Sequence, residues 1–140
     1  MDKEKQIEVF RVLWEQLMIS NKLVVCTDTL KGVGLLDVNI LKLLYNSSEI
    51  VPKEIVEKLN IPNSTLTNAI NRLERKQLVE RRLNKNDLRS LQLILTDKGR
   101  KAIQEHHDLE RELVGEIFTI LNEDESKSLV DIFEKISKNL

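Results

Sequence analysis

Between Asn63 and Lys101 the chain concentrates side chains that bind anions. Ten residues there are basic (Arg72, Arg75, Lys76, Arg81, Arg82, Lys85, Arg89, Lys98, Arg100 and Lys101) and four are acidic (Glu74, Glu80, Asp87 and Asp97). The segment carries +6 and the remainder −7, a division hidden by the total of −1. A basic centre in an acidic frame suits a protein that meets a polyanion with one face. Around the first of these cations stand Asn63, Ser64, Thr65, Thr67 and Asn68. Small hydroxyls and amides at a helix start can enter a major groove and bond base edges. Asn68 suits adenine, and Arg72 suits guanine or a phosphate. Arg75, Lys76, Arg81, Arg82 and Lys85 suit phosphates. The same residue types also cap and solvate helices, Thr67 and Asn71 above all, and a charge cluster also arises on an ordinary wet surface. Position must decide between these uses.

The chain that has to position them is 140 residues long and 41% hydrophobic, enough for one core. With 4 Gly, 2 Pro and 4% aromatic residues it reads as mainly helical with an aliphatic interior. No apolar run reaches the ~18 residues of a membrane span. The start, Met1 to Gln6, has no apolar signal-peptide core. A single cysteine, Cys26, excludes an internal disulfide. Together these features predict a cytoplasmic protein.

Apolar periodicity supplies the elements. Ile7, Phe10, Trp14 and Leu17 form a helical stripe in a first segment from Lys3 to about Val25. Leu13, Met18, Val24 and Val25 widen it beyond what a small domain covers, which predicts a partner subunit. After a connection with Gly32 and Gly34, Asp37 is placed to cap a second helix carrying Ile40, Leu41, Leu43 and Leu44. Pro52 opens a short helix to Leu59. Asn60-Ile61-Pro62 makes a sharp turn, because proline pushes the residue before it out of the helical region. A further helix starts near Asn63 or Ser64, either able to cap it, and runs to Lys76, burying Leu66, Ile70 and Leu73. Short helix, turn and second helix make a helix-turn-helix. The period then changes to two, with strands over Leu78 to Leu83 and Ser90 to Leu95 around the turn formers Asn84-Lys85-Asn86-Asp87. A helix-turn-helix followed by a basic hairpin is a winged helix. Thr96 caps a long helix to about Leu121. Asn122 to Asp124 restart the chain into a last helix with Leu129, Ile132, Ile136 and Leu140 on one face.

The run from Leu73 to Arg100 resembles the signature of the MarR family (multiple antibiotic resistance regulators). Its elements here are Leu73-Glu74, Leu78-Val79-Glu80-Arg81, Asp87-Leu88-Arg89 in the wing and Leu95-Thr96-Asp97-Lys98-Gly99. The flanking long helices fit the same pattern, so the resemblance covers essentially the whole chain, 1–140. It implies a winged helix over about 36–100, with helical dimerisation segments at 1–30 and 101–140. It implies that Arg89 enters a minor groove and that Asp87 orients nearby arginines. Gln77 stands where the family usually has Gly, and Pro62 where a capping Ser or Asp is common. The first predicts a less relaxed turn, the second a different start to the recognition helix.

The expected protein is therefore a sequence-specific DNA-binding transcription regulator, a homodimeric repressor of a palindromic operator on double-stranded DNA. Ile7, Phe10, Ile132, Phe133, Ile136 and Leu140 are the expected dimer contacts, each also able to cover its own subunit. The family often binds a small anionic or phenolic effector, for which Trp14, Met18, Tyr45 and His106 are candidates, each also a plain core residue. Cys26 reads as a buried, inert thiol, with a thiol-based redox-sensing regulator as the alternative. A winged helix that binds protein instead of DNA is a second alternative, which the basic residues oppose. His106 and His107 diverge by ~100° on a helix, poor geometry for a shared metal. No metal, cofactor or membrane partner is expected. No Gly-rich phosphate loop or nucleophile elbow suggests an enzyme.

Overall fold

The computed structural model describes residues 1–83 and 90–140. Its elements in chain order are α1 (Lys3–Ile19), α2 (Leu35–Asn46), α3 (Pro52–Leu59), α4 (Asn63–Arg75), β1 (Val79–Leu83), β2 (Leu91–Leu95), α5 (Asp97–Ile120) and α6 (Glu123–Asn139). The chain divides into two compact units. One comprises residues 26–107, the other 1–25 with 108–140.

The unit of residues 26–107 is a winged helix. Ile40, Leu41 and Leu44 of α2, Ile55 of α3 and Leu66, Ala69, Ile70 and Leu73 of α4 interlock in its core. Leu78, Val79, Leu93 and Leu95 add the sheet, and Ala102 and Ile103 of α5 complete it. Strands β1 and β2 are antiparallel, with Val79 opposite Leu95, Arg81 opposite Leu93 and Leu83 opposite Leu91. The expected strands each lose one residue at the start, and the fold class is the expected one.

Four local expectations change. Asp37 does not cap α2. The helix starts two residues earlier, with Gly34 as its uncapped N-cap, so Asp37 lies in the first turn with its side chain turned inward. Neither Asn63 nor Ser64 caps α4, whose N-cap is Pro62, a residue with no capping group. The first helix ends at Ile19, not near Val25, because the chain reverses at Asn21 in the left-handed region (φ 57°). Cys26 therefore lies outside any helix and is exposed, not buried.

The joint between α4 and β1 shows why the motif residues are needed. Gln77 adopts φ 60°. Its N–H donates to the Glu74 carbonyl at 2.9 Å, and the Leu78 N–H to the Leu73 carbonyl at 3.0 Å. These are the two bonds of a Schellman cap, with the Leu73–Leu78 apolar pair buried beside them. The position favours glycine, and an L-residue there is strained by ~1–2 kcal/mol. We expect Gln77→Gly to raise stability by ~0.5 kcal/mol once glycine's greater unfolded-state freedom is deducted. Thermal melting checks this. A lower midpoint would mean that the Gln77 side chain contributes more than its backbone strain removes.

The second unit holds α1, α6 and the end of α5. Neither α1 nor α6 buries a single residue within the chain. Asp2 caps α1 through its carboxylate, and Asn122 and Glu125 form a reciprocal capping box on α6. Phe10 and Trp14 stack at 6.2 Å between ring centroids. Val114, Ile117, Phe118, Leu129, Val130 and Phe133 line an open apolar groove of about 690 Å³ between α5 and α6.

Candidate nucleic-acid interface

Helix α4 is held by its apolar stripe, and that fixes what it shows to solvent. With Leu66, Ala69, Ile70 and Leu73 inward, Asn63, Ser64, Thr67, Asn68, Asn71, Arg75 and Lys76 are exposed, and Thr65 and Arg72 half-buried. Among the described residues, the side chains of Ser64 and Asn68 make no hydrogen bond, so both keep their full bonding capacity. The Thr67 hydroxyl donates to the Asn63 carbonyl at 3.0 Å and still has lone pairs to offer. Because α4 has no side-chain cap, its first amides also stay available to water or to an anion.

The arginines are differently placed. Nε and Nη2 of Arg72 donate to Oδ2 and Oδ1 of Asp37 at 3.0 and 2.8 Å, a side-on fork from α4 to α2. That hydrogen bonding raises the Arg72 guanidinium above the ordinary arginine value. Nη2 of Arg81 donates to Asn71 Oδ1 at 2.7 Å, and its Nε pairs with Glu74 at 2.9 Å, so β1 is tied to α4. Arg82 pairs with Glu80 on its own strand. Nε of Arg75 donates to the Asn71 carbonyl at 3.3 Å. The structure thus brings the candidate base readers and cations of α4 and β1 into one unit, but it gives Arg72, Arg81 and Arg82 carboxylate partners. Lys85, Asp87 and Arg89 lie outside the described residues.

Sequence reasoning missed three contributors. Asp37 sits three residues before Ile40 and four before Leu41, on the buried face of α2. A carboxylate in an apolar stripe needs a cation, and that was its signal. Glu74 and Asn71 together hold Arg81, which only the fold could reveal. Among the residues considered for an effector, Tyr45 donates to Gln104 Oε1, meets the His107 ring edge at 5.3 Å and lies under Arg100 at 5.6 Å. His106 is buried. Tyr45 and His106 belong to the winged-helix unit, Trp14 and Met18 to the other. Among the described residues no group of His, Cys, Asp or Glu could hold a metal ion, and no helix is long and apolar enough to cross a membrane.

A sequence model of the MarR family matches residues 35–91, from the first residue of α2 to that of β2. The helix-turn-helix transcriptional regulator YdgJ of Bacillus subtilis is 28% identical over 126 residues, covering 89% of this chain and 77% of its own. Among solved structures, Streptococcus pneumoniae FabT in complex with DNA superposes with a TM-score of 0.79 at 20% identity, covering 99% of this chain and 100% of its own. The Staphylococcus aureus MepR–DNA complex superposes at 0.69 and 22% identity, over 91% and 96%. YdgJ and MepR are transcription regulators by name. The family match, the curated relatives and the shared winged-helix architecture agree, and residues 35–91 of the chain match the MarR family, whose helix-turn-helix regulators the chain resembles.

Proposed function

We propose that the protein is a homodimeric repressor that binds a palindromic operator, laying one α4 in each of two successive major grooves with the wing alongside. The observation that carries this reading is the exposed start of α4, where Asn63, Ser64 and Asn68 face solvent over a buried apolar stripe. Ser64 and Asn68 have no side-chain partner among the described residues. Groups that are neither folded inward nor paired can exchange water for base edges at little loss. The DNA-bound FabT and MepR structures share this architecture and support the partner class.

Two half-sites a helical turn apart, ~34 Å, require two recognition helices, and one chain supplies one. The terminal helices support pairing. Ile7, Phe10, Ile132, Phe133, Ile136 and Leu140 are all exposed within the single chain. A soluble protein that leaves this much apolar surface uncovered ordinarily covers it with a partner. In this reading an anionic or phenolic effector acts by favouring a spacing of the two wings that the operator does not accept.

Selection of bound genomic fragments with the purified protein tests the reading, and a palindrome with half-sites one turn apart is expected. Asn68→Ala should then weaken binding to the selected fragment by ~10-fold while leaving a random duplex unaffected, in fluorescence anisotropy. Equal affinity of the unaltered protein for selected and random duplexes across a range of salt would end the proposal.

A further inference from the structure

Asp37 joins α2 to the recognition helix by a two-bond ion pair whose carboxylate is buried. Its side chain is 5% exposed and both oxygens are taken by Arg72, whose own side chain is 43% exposed. The carboxylate also sits in the first turn of α2, where the helix dipole favours negative charge. It is thus held in place, while Arg72 stands on the face-forming helix beside Asn68, one turn back. An unpaired guanidinium at that position would attract any phosphate, whatever the sequence. Paired side-on, its charge is cancelled within hydrogen-bond distance, and two of its donor nitrogens are committed.

We propose that Asp37 is a specificity-determining residue: it withholds Arg72 from DNA, so that α4 discriminates through its uncharged side chains. The inference rests on the DNA-reading function above. It differs from the sequence expectation, in which Arg72 itself contacts guanine or phosphate. The neutralised pair keeps affinity for generic duplex low, and the ratio of operator to random binding high.

Salt titrations of the full chain on its selected duplex and on a random duplex of equal length test it. Asp37→Asn retains shape and one acceptor but frees the charge. Random-duplex affinity should rise by about five-fold near 0.1 M salt, the slope of log affinity against log salt should steepen by about 0.9, and the selected-to-random ratio should fall. The double variant Asp37→Asn with Arg72→Gln removes both charges and should keep the slope of the unaltered protein. This second variant decides the matter if the first does not fold, folding being read from circular dichroism. An unchanged slope in Asp37→Asn would overturn the inference. So would a slope shallower by about 0.9 in the double variant, because Arg72 would then be a phosphate contact. Failure of the unaltered protein to prefer its selected duplex would instead remove the DNA-reading function on which the inference stands.

Discussion

Gly99→Ala is expected to lower the thermal midpoint by about 10 °C, although alanine is the better helix former. At an ordinary position in a helix, exchanging glycine for alanine stabilises by ~1 kcal/mol. Here the sign reverses. A Cβ on Gly99 would lie 2.0 Å from the carbonyl oxygen of Leu78, less than any real contact allows. That oxygen is backbone, and it also accepts from the Thr96 N–H at 3.1 Å, so it cannot swing aside as a flexible side chain would. Relief requires α5 to move off the joint between α4 and β1. Overpacking of this kind costs about 3 kcal/mol, a large share of the ~5–15 kcal/mol that holds a domain together. A melting curve for Gly99→Ala within 2 °C of the unaltered protein would show that α5 shifts without loss.

Charging the terminal helices has the other large effect. Phe133 and Ile136 are 61% and 47% exposed, and α6 buries nothing within its own chain. Replacing both by Glu therefore leaves the fold of one chain intact but places four charges at the centre of the proposed dimer contact, where unpaired charge is poorly tolerated. Sedimentation should show a monomer at micromolar concentration. Affinity for the selected duplex should fall by about 100-fold, since two linked half-site contacts become one. A double variant that sediments as the unaltered protein does would move the dimer contact elsewhere or remove it.

Much of this architecture can be read directly from residue order. The stripe Leu66, Ile70 and Leu73, the turn at Asn60 to Pro62 and the change of period after Leu78 are local signals, and each element appears where its pattern places it. The resemblance of the wing motif added the family. What could not be read was pairing between distant residues. Asp37 and Arg72 are 35 residues apart, and a carboxylate near a helix start can either cap or turn inward. Only the tertiary fold chooses, and burial against α4 chose the ion pair. Arg81 looks like a free cation in a row of charges, but Glu74 comes within reach once β1 lies beside α4, while Arg82 pairs with Glu80 on its own strand. The early stop of α1 was hidden for a different reason. Val24 and Val25 continue an apolar composition, but Asn21 tolerates left-handed backbone and turns the chain out of the helix. That is also why Cys26 is exposed.

The hydroxyl of Thr96 gives to the Gln77 carbonyl at 2.6 Å and takes from the Gly99 N–H at 3.0 Å, and Lys98 Nζ reaches the Lys76 carbonyl at 3.0 Å. The end of the recognition helix and the start of α5 therefore close one another's open backbone groups. Neither can fray alone without orphaning the other. The amide protons of Leu78, Thr96 and Gly99 then belong to a single opening unit, exchanging with heavy water at one common rate set by the release of α5.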